Sequence, residues 1–165
     1  MPRNTSLTPV LGLVAWLAVC FLAAAVGGLA SASAGGFYQT LFRPAWAPPG
    51  WLFAPAWTVL YALMAVAAWL VWKERGFRHA KLALSLFVVQ LAANALWTWL
   101  FFVWHLGGVA FAEIITLWVL IACTLFAFWR VRPLAGALLL PYLAWVSFAS
   151  ALCYAVWKGN PQLLA

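Results

Sequence analysis

Residues 51–81 read "WLFAPAWTVLYALMAVAAWLVWKERGFRHAK". A charge-free run (51–72) is followed at once by Lys73, Glu74, Arg75, Arg78 and Lys81. At about 1.5 Å per residue, such a run crosses a hydrocarbon core of about 30 Å as a helix. In lipid its backbone must pair within the segment, so helix is the only fit. The basic residues mark the cytoplasmic end, because Lys and Arg concentrate in cytoplasmic loops.

The chain around this stretch repeats the pattern. Of its 165 residues, 68% are hydrophobic and 7% charged, and mean hydropathy is +1.03. Eleven charged side chains cannot cover that much apolar surface in water. Further apolar runs lie at 7–30, 82–104, 107–129 and 133–157. The expected fold is an all-α integral membrane protein, one domain over 1–165, with five transmembrane helices. The first run is longer than the core of a signal peptide and reads as an uncleaved helix. Connections are short except the first, from Ser31 to Gly50, and a long connection in a compact bundle is usually functional.

Counting Lys and Arg by side sets the orientation. Arg3, the 73–81 cluster, Arg130 and Arg132 fall on one side, Arg43 and Lys158 on the other. The positive-inside rule puts the N-terminus in the cytoplasm and the C-terminus outside, as in a bacterial cell membrane. The net charge of +7 is gathered at span ends, a loop pattern that speaks against nucleic acid as a partner.

Residue types exclude several chemistries. Cys20, Cys123 and Cys153 lie within apolar runs without metal or disulfide spacing. His79 and His105 sit at span ends, where no haem would be held. Glu113 is the one intramembrane carboxylate, near the start of its helix where the dipole favours an anion. No nucleophile–base pair, metal site or cofactor motif is present.

Within the third span, "QLAANALWTWLFF" places Gln90, Asn94, Trp97 and Thr98 on one helical face. Amides facing lipid would go unpaired, so this face looks inward. It serves either interhelical hydrogen bonding or a pocket wall built on Asn94. Trp57 and Tyr61 are spaced i, i+4 in the second span. Tyr142, Trp145, Ala149 and Leu152 share a face of the fifth, where Ser147 and Ala151 form a small-xxx-small pair; Ala23 with Gly27 and Ala24 with Gly28 do so in the first. Most of the 13 tryptophans suit the aromatic belts at the membrane surfaces, as Trp104, Trp129 and Trp157 do. Trp57 and Trp145 lie too deep for that. Leu152-x-Tyr154-x3-Lys158 matches a weak cholesterol-contact pattern. Pro44, Pro48 and Pro49 stiffen the first connection, which suggests a preorganised lid carrying Trp46 and Trp51.

The segments "RPAWAPPGWLFAPAWTVLYALM", "QLAANALWTWLFF" and "PYLAWVSFASALCYAVWKGN" resemble, in order and spacing, the tryptophan-rich sensory protein/translocator protein (TspO/MBR) family. The likeness spans about residues 36–160. It implies a five-helix bundle, often a homodimer, whose pocket opens toward the first loop and takes porphyrins such as protoporphyrin IX, or sterols and benzodiazepine-type drugs. It implies roles in tetrapyrrole handling, transport and stress response. Position by position, it implies that Tyr38, Trp46 and Trp51 belong to the lid. Trp57, Tyr61, Asn94, Trp97, Trp145, Ala149 and Leu152 would line the pocket, and Leu152, Tyr154 and Lys158 would contact sterol. Trp57 and Trp145 match tryptophans tied to porphyrin breakdown in light. The chain departs from the family at Trp99, where a proline is usual and bends helix three, at Cys153, usually asparagine, and at Gly50, histidine or another polar residue in some members. The implied function is a porphyrin-binding regulatory membrane protein. A light-dependent porphyrin-degrading enzyme and a porphyrin or sterol transporter are the alternatives.

Overall fold

A computed structural model describes residues 7–32 and 34–164; Arg3, counted toward orientation, lies outside them. The described residues form α1 (Leu7–Ser31), α2 (Ala34–Thr40), α3 (Phe53–His79), α4 (Lys81–Thr98), α5 (Gly107–Val131), α6 (Pro133–Ala137) and α7 (Leu140–Gly159). Five stretches are long and apolar enough to cross a membrane: Thr8–Ser31, Gly50–His79, Lys81–Val103, Gly107–Val131 and Pro133–Gly159. These match the expected runs, with one extension. The second helix continues past Trp72 through Lys73, Glu74 and Arg75, good helix formers once outside lipid, to a kink at Gly76.

Around the bundle the order is α3, α1, α4, α5, α7, and the ring closes where α7 returns thinly to α3. Close approach of α1 to α3 depends on Gly12, where any Cβ would fall inside the Trp72 ring. Gly27 lies against Thr98, so that small-residue position serves packing within the chain. Ser147 does likewise, accepting from Trp118 Nε1 at 2.8 Å. Gly76, near the end of α3, has φ 64° and ψ 177°, a conformation open essentially to glycine alone. An exposed ion pair, Arg132 to Glu74 at 3.9 Å, contributes little to stability.

Helix α4 departs from α geometry at its end. Trp99–Val103 form a π turn, and Trp104 N–H bonds to Trp99 C=O at 2.9 Å. In place of the proline expected from the sequence resemblance stands Trp99, whose Nε1 reaches Val26 C=O of α1 at 3.3 Å. His105, with φ 54°, ends this segment and stacks on Phe37 of α2 at 4.0 Å.

The long first connection is partly helical. It holds α2, a proline-bounded turn in which Ala47 N–H meets Pro44 C=O at 2.9 Å, and a 3₁₀ turn over Gly50–Leu52. Asn160 ties it down. Its Oδ1 accepts from Phe42 N–H at 2.8 Å, and its Nδ2 donates to Phe42 C=O at 2.9 Å and Val156 C=O at 2.7 Å. Leu164, 1% exposed, packs with Leu41 and Val156 beneath the same connection.

Candidate ligand-binding cavity

All five long helices and α2 enclose a cavity of about 510 Å³, within the usual size range of small-molecule sites. Its deep polar centre is Asn94, on α4. Asn94 Oδ1 accepts from Tyr61 Oη at 2.6 Å, and its Nδ2 donates to Tyr142 Oη at 2.9 Å. The helical spacing that turned Asn94 inward thus gives it two phenolic partners, on α3 and α7. Burying an amide this deep is tolerable only with such partners.

Aromatic rings run from that centre to the loop end. Trp57 lies 5.7 Å from Tyr61, 6.2 Å from Tyr142 and 6.3 Å from Trp145, the last edge-on at 80°. Trp145 meets Phe53 edge-on at 6.0 Å, and Phe53 meets Tyr38 at 5.8 Å. On the α4 side, Trp97 stacks on Phe101 at 5.2 Å. Edge-to-face pairs leave ring faces available to a planar guest.

Of the residues singled out from sequence, Tyr38, Trp57, Tyr61, Asn94, Trp97, Trp145, Ala149 and Leu152 line this cavity. Trp46 and Trp51 do not. Trp46 packs edge-on against Phe148 at 5.8 Å, and both tryptophans are exposed, Trp51 at 72%. Gly50, by contrast, is part of the wall. The sterol pattern splits between two faces. Leu152 looks into the cavity, while Tyr154 is exposed beside Phe111, and Lys158 lies 4.2 Å over Trp157. Residues two apart on a helix point about 200° apart, so the pattern makes no single patch.

Gln90, on the same α4 face as Asn94, sits in the core below the cavity with its Nε2 3.9 Å from Met64 Sδ. Glu113 does not reach the wall either. At the loop end, burial pushes the Tyr38 phenol above its ordinary pKa, and Arg43, 4.9 Å over the ring, partly offsets this. Trp97 Nε1 is buried with no well-formed hydrogen bond, its neighbouring acceptor being the Cys153 thiol, a weak one.

Several wall residues escaped the sequence reading: Phe21, Phe53, Phe101, Phe102 and Cys153. Phe53 and Phe101 were accessible by spacing, each four residues from an inward tryptophan. Tyr142, which anchors Asn94, shared the recognised face of the fifth span.

The arrangement suits binding of a flat apolar molecule. No cluster of three metal-ligating side chains occurs among the described residues.

Comparison with known proteins accords with this architecture. The chain is 40% identical over 147 residues to Protein CrtK of Rhodobacter capsulatus, covering 87% of this chain and 92% of that one. It is 40% identical over 126 residues to the human Translocator protein, covering 75% of each. It is 37% identical over 145 residues to the Tryptophan-rich sensory protein of Cereibacter sphaeroides, covering 88% and 89%. The profile of the TspO/MBR family matches residues 16–158, and the chain belongs to that family.

Proposed function

We propose that the protein binds porphyrins of the protoporphyrin IX kind, or similarly flat hydrophobic molecules such as sterols, and acts in tetrapyrrole handling, transport or stress signalling. The observation that carries this reading is the cavity of about 510 Å³ walled by Trp57, Trp145, Trp97 and Tyr61 around Asn94. Wide aromatic faces in a water-poor space favour a macrocycle through stacking and apolar burial. Asn94 fixes the two tyrosines, so the walls are preorganised and little entropy is lost on binding. The first connection is the lid: α2 brings Tyr38 to the rim, while Trp46 anchors the strap from outside against Phe148. Arg43 lies at the rim to meet a carboxylate.

The distribution of Lys and Arg supports a bacterial cell membrane with the N-terminus cytoplasmic and the C-terminus outside. The protein works as a homodimer, as the family likeness implies. The light-dependent degrading activity is kept as a second reading because Trp57 and Trp145 are mutual neighbours on the cavity wall.

The test is titration of the purified protein with protoporphyrin IX in the dark, followed by tryptophan quenching and repeated in light. Saturable binding lost in Trp57→Ala supports the site. Loss of porphyrin absorbance in light that requires Trp57 and Trp145 would favour degradation. Absence of saturable binding would overturn the assignment.

A further inference from the structure

A second void lies outside the bundle, along the seam where α7 returns to α3. Its walls include Pro55, Ala56 and Val59 of α3 and Pro141, Ala144 and Trp145 of α7. Every side chain lining it is apolar, and the seam is the most thinly packed contact between neighbours in the ring. Trp145 belongs to the walls of both voids, the only described residue that does. The Trp145 indole therefore borders both the outer groove and the cavity. Its aromatic neighbours Phe53, Trp57 and Phe148 touch it by edge or tilt at 5.9–6.3 Å, and the groove offers space into which the ring can turn.

We propose that the α3–α7 seam is a lateral portal, and that Trp145 gates passage of apolar ligands between the bilayer hydrocarbon and the cavity. This rests on the binding role given above. A hydrophobic ligand concentrates in the bilayer, where the groove is directly accessible. Passage at the loop end instead requires displacing a connection that Asn160 ties at Phe42 by two hydrogen bonds. Passage at the seam requires rotation of one side chain. The loop end then shapes the bound state, and the seam sets the rate of exchange.

The test fills the groove without touching the cavity, using Ala144→Phe and, in case that variant fails to fold, Ala56→Phe. Neither residue lines the cavity. A cavity thiol is introduced by Ala149→Cys in vesicles, and an N-alkylmaleimide dissolved in the bilayer is used as the probe. Peptide mapping follows its labelling, with exposed Cys123 as the internal control. The filled variants are expected to slow labelling at position 149 about tenfold with Cys123 unchanged; a portal acts on rates. For protoporphyrin IX, association and dissociation should slow together, leaving Kd unaltered. Labelling at position 149 as fast in both filled variants as in the Ala149→Cys chain alone would overturn the portal. Because that readout needs no porphyrin, slowed labelling without porphyrin binding would leave the portal standing and sink only the ligand assignment.

Discussion

The side chain of Asn160 makes both backbone hydrogen bonds of Phe42, accepting at 2.8 Å and donating at 2.9 Å across 118 positions of sequence. It imitates a paired strand, of which the described residues hold none, and so fixes the first connection to the end of α7. Asn160→Ala should lower stability by about 3 kcal/mol, since it removes three hydrogen bonds that contribute about 1 kcal/mol each net. Asn160→Asp should also destabilise, because a carboxylate can accept from Phe42 N–H but cannot donate to its carbonyl. Thermal unfolding in detergent measures both.

Asn94 carries a coupled pair of bonds. Tyr61→Phe removes one donor and should cost about 1 kcal/mol, whereas Asn94→Ala strands two phenols and should cost about 2–3 kcal/mol. A double-mutant cycle between them should show coupling of about 1 kcal/mol. Additive effects would mean that the bond contributes nothing.

Wall and rim tryptophans should separate in binding. Trp57→Ala and Trp145→Ala should weaken porphyrin binding by about 1–3 kcal/mol each, by analogy with aromatic stacking on nucleobases. Trp51→Ala, at an exposed residue outside the wall, should change Kd by less than about twofold. Fluorescence titration in the dark decides, and a large loss in Trp51→Ala would mean that the lid closes further over ligand.

The buried N–H of Trp97 has only the weakly accepting thiol of Cys153 beside it. Cys153→Asn should supply an oxygen acceptor of similar volume and raise stability by about 1 kcal/mol. Unchanged or lowered thermal stability would show that the amide cannot reach the indole.

Gly76→Ala should destabilise by about 1–3 kcal/mol, because its φ of 64° with ψ of 177° strains any side chain with a Cβ. Stability measured against Ala80→Gly, a change at a residue with φ −110°, separates this strain from a general effect on the turn.

What was legible in the sequence follows from physical contrast. Asn94 stood out because an amide in an apolar helix cannot face lipid, and Trp57 and Trp145 because they lie too deep for the interfacial belts. Phe21 and Phe102 were hidden, since an apolar side chain in a membrane span reads the same toward lipid or cavity. Trp46 and Trp51 were expected at the pocket because of the residues around them, but a loop has no periodicity to fix direction. The π turn at Trp99 was illegible for another reason: its i→i+5 bond depends on packing against α1, which no local propensity records. Five spans were readable because hydropathy and charge decide them directly, although the second helix outruns its apolar stretch.

The π turn has a consequence for register. It amounts to one surplus residue carried within a helix, so the phase of everything before Trp99 against the α4–α5 turn is set by chain length. Deleting a single residue between Trp99 and Val103 would restore ordinary α geometry and swing the earlier part of α4 by about 100°. Asn94 would then turn away from Tyr61 and Tyr142, taking Trp97 and Thr98 with it, while the wall residues of the other helices stayed in place. The cavity is specified by a count of residues as much as by their kinds.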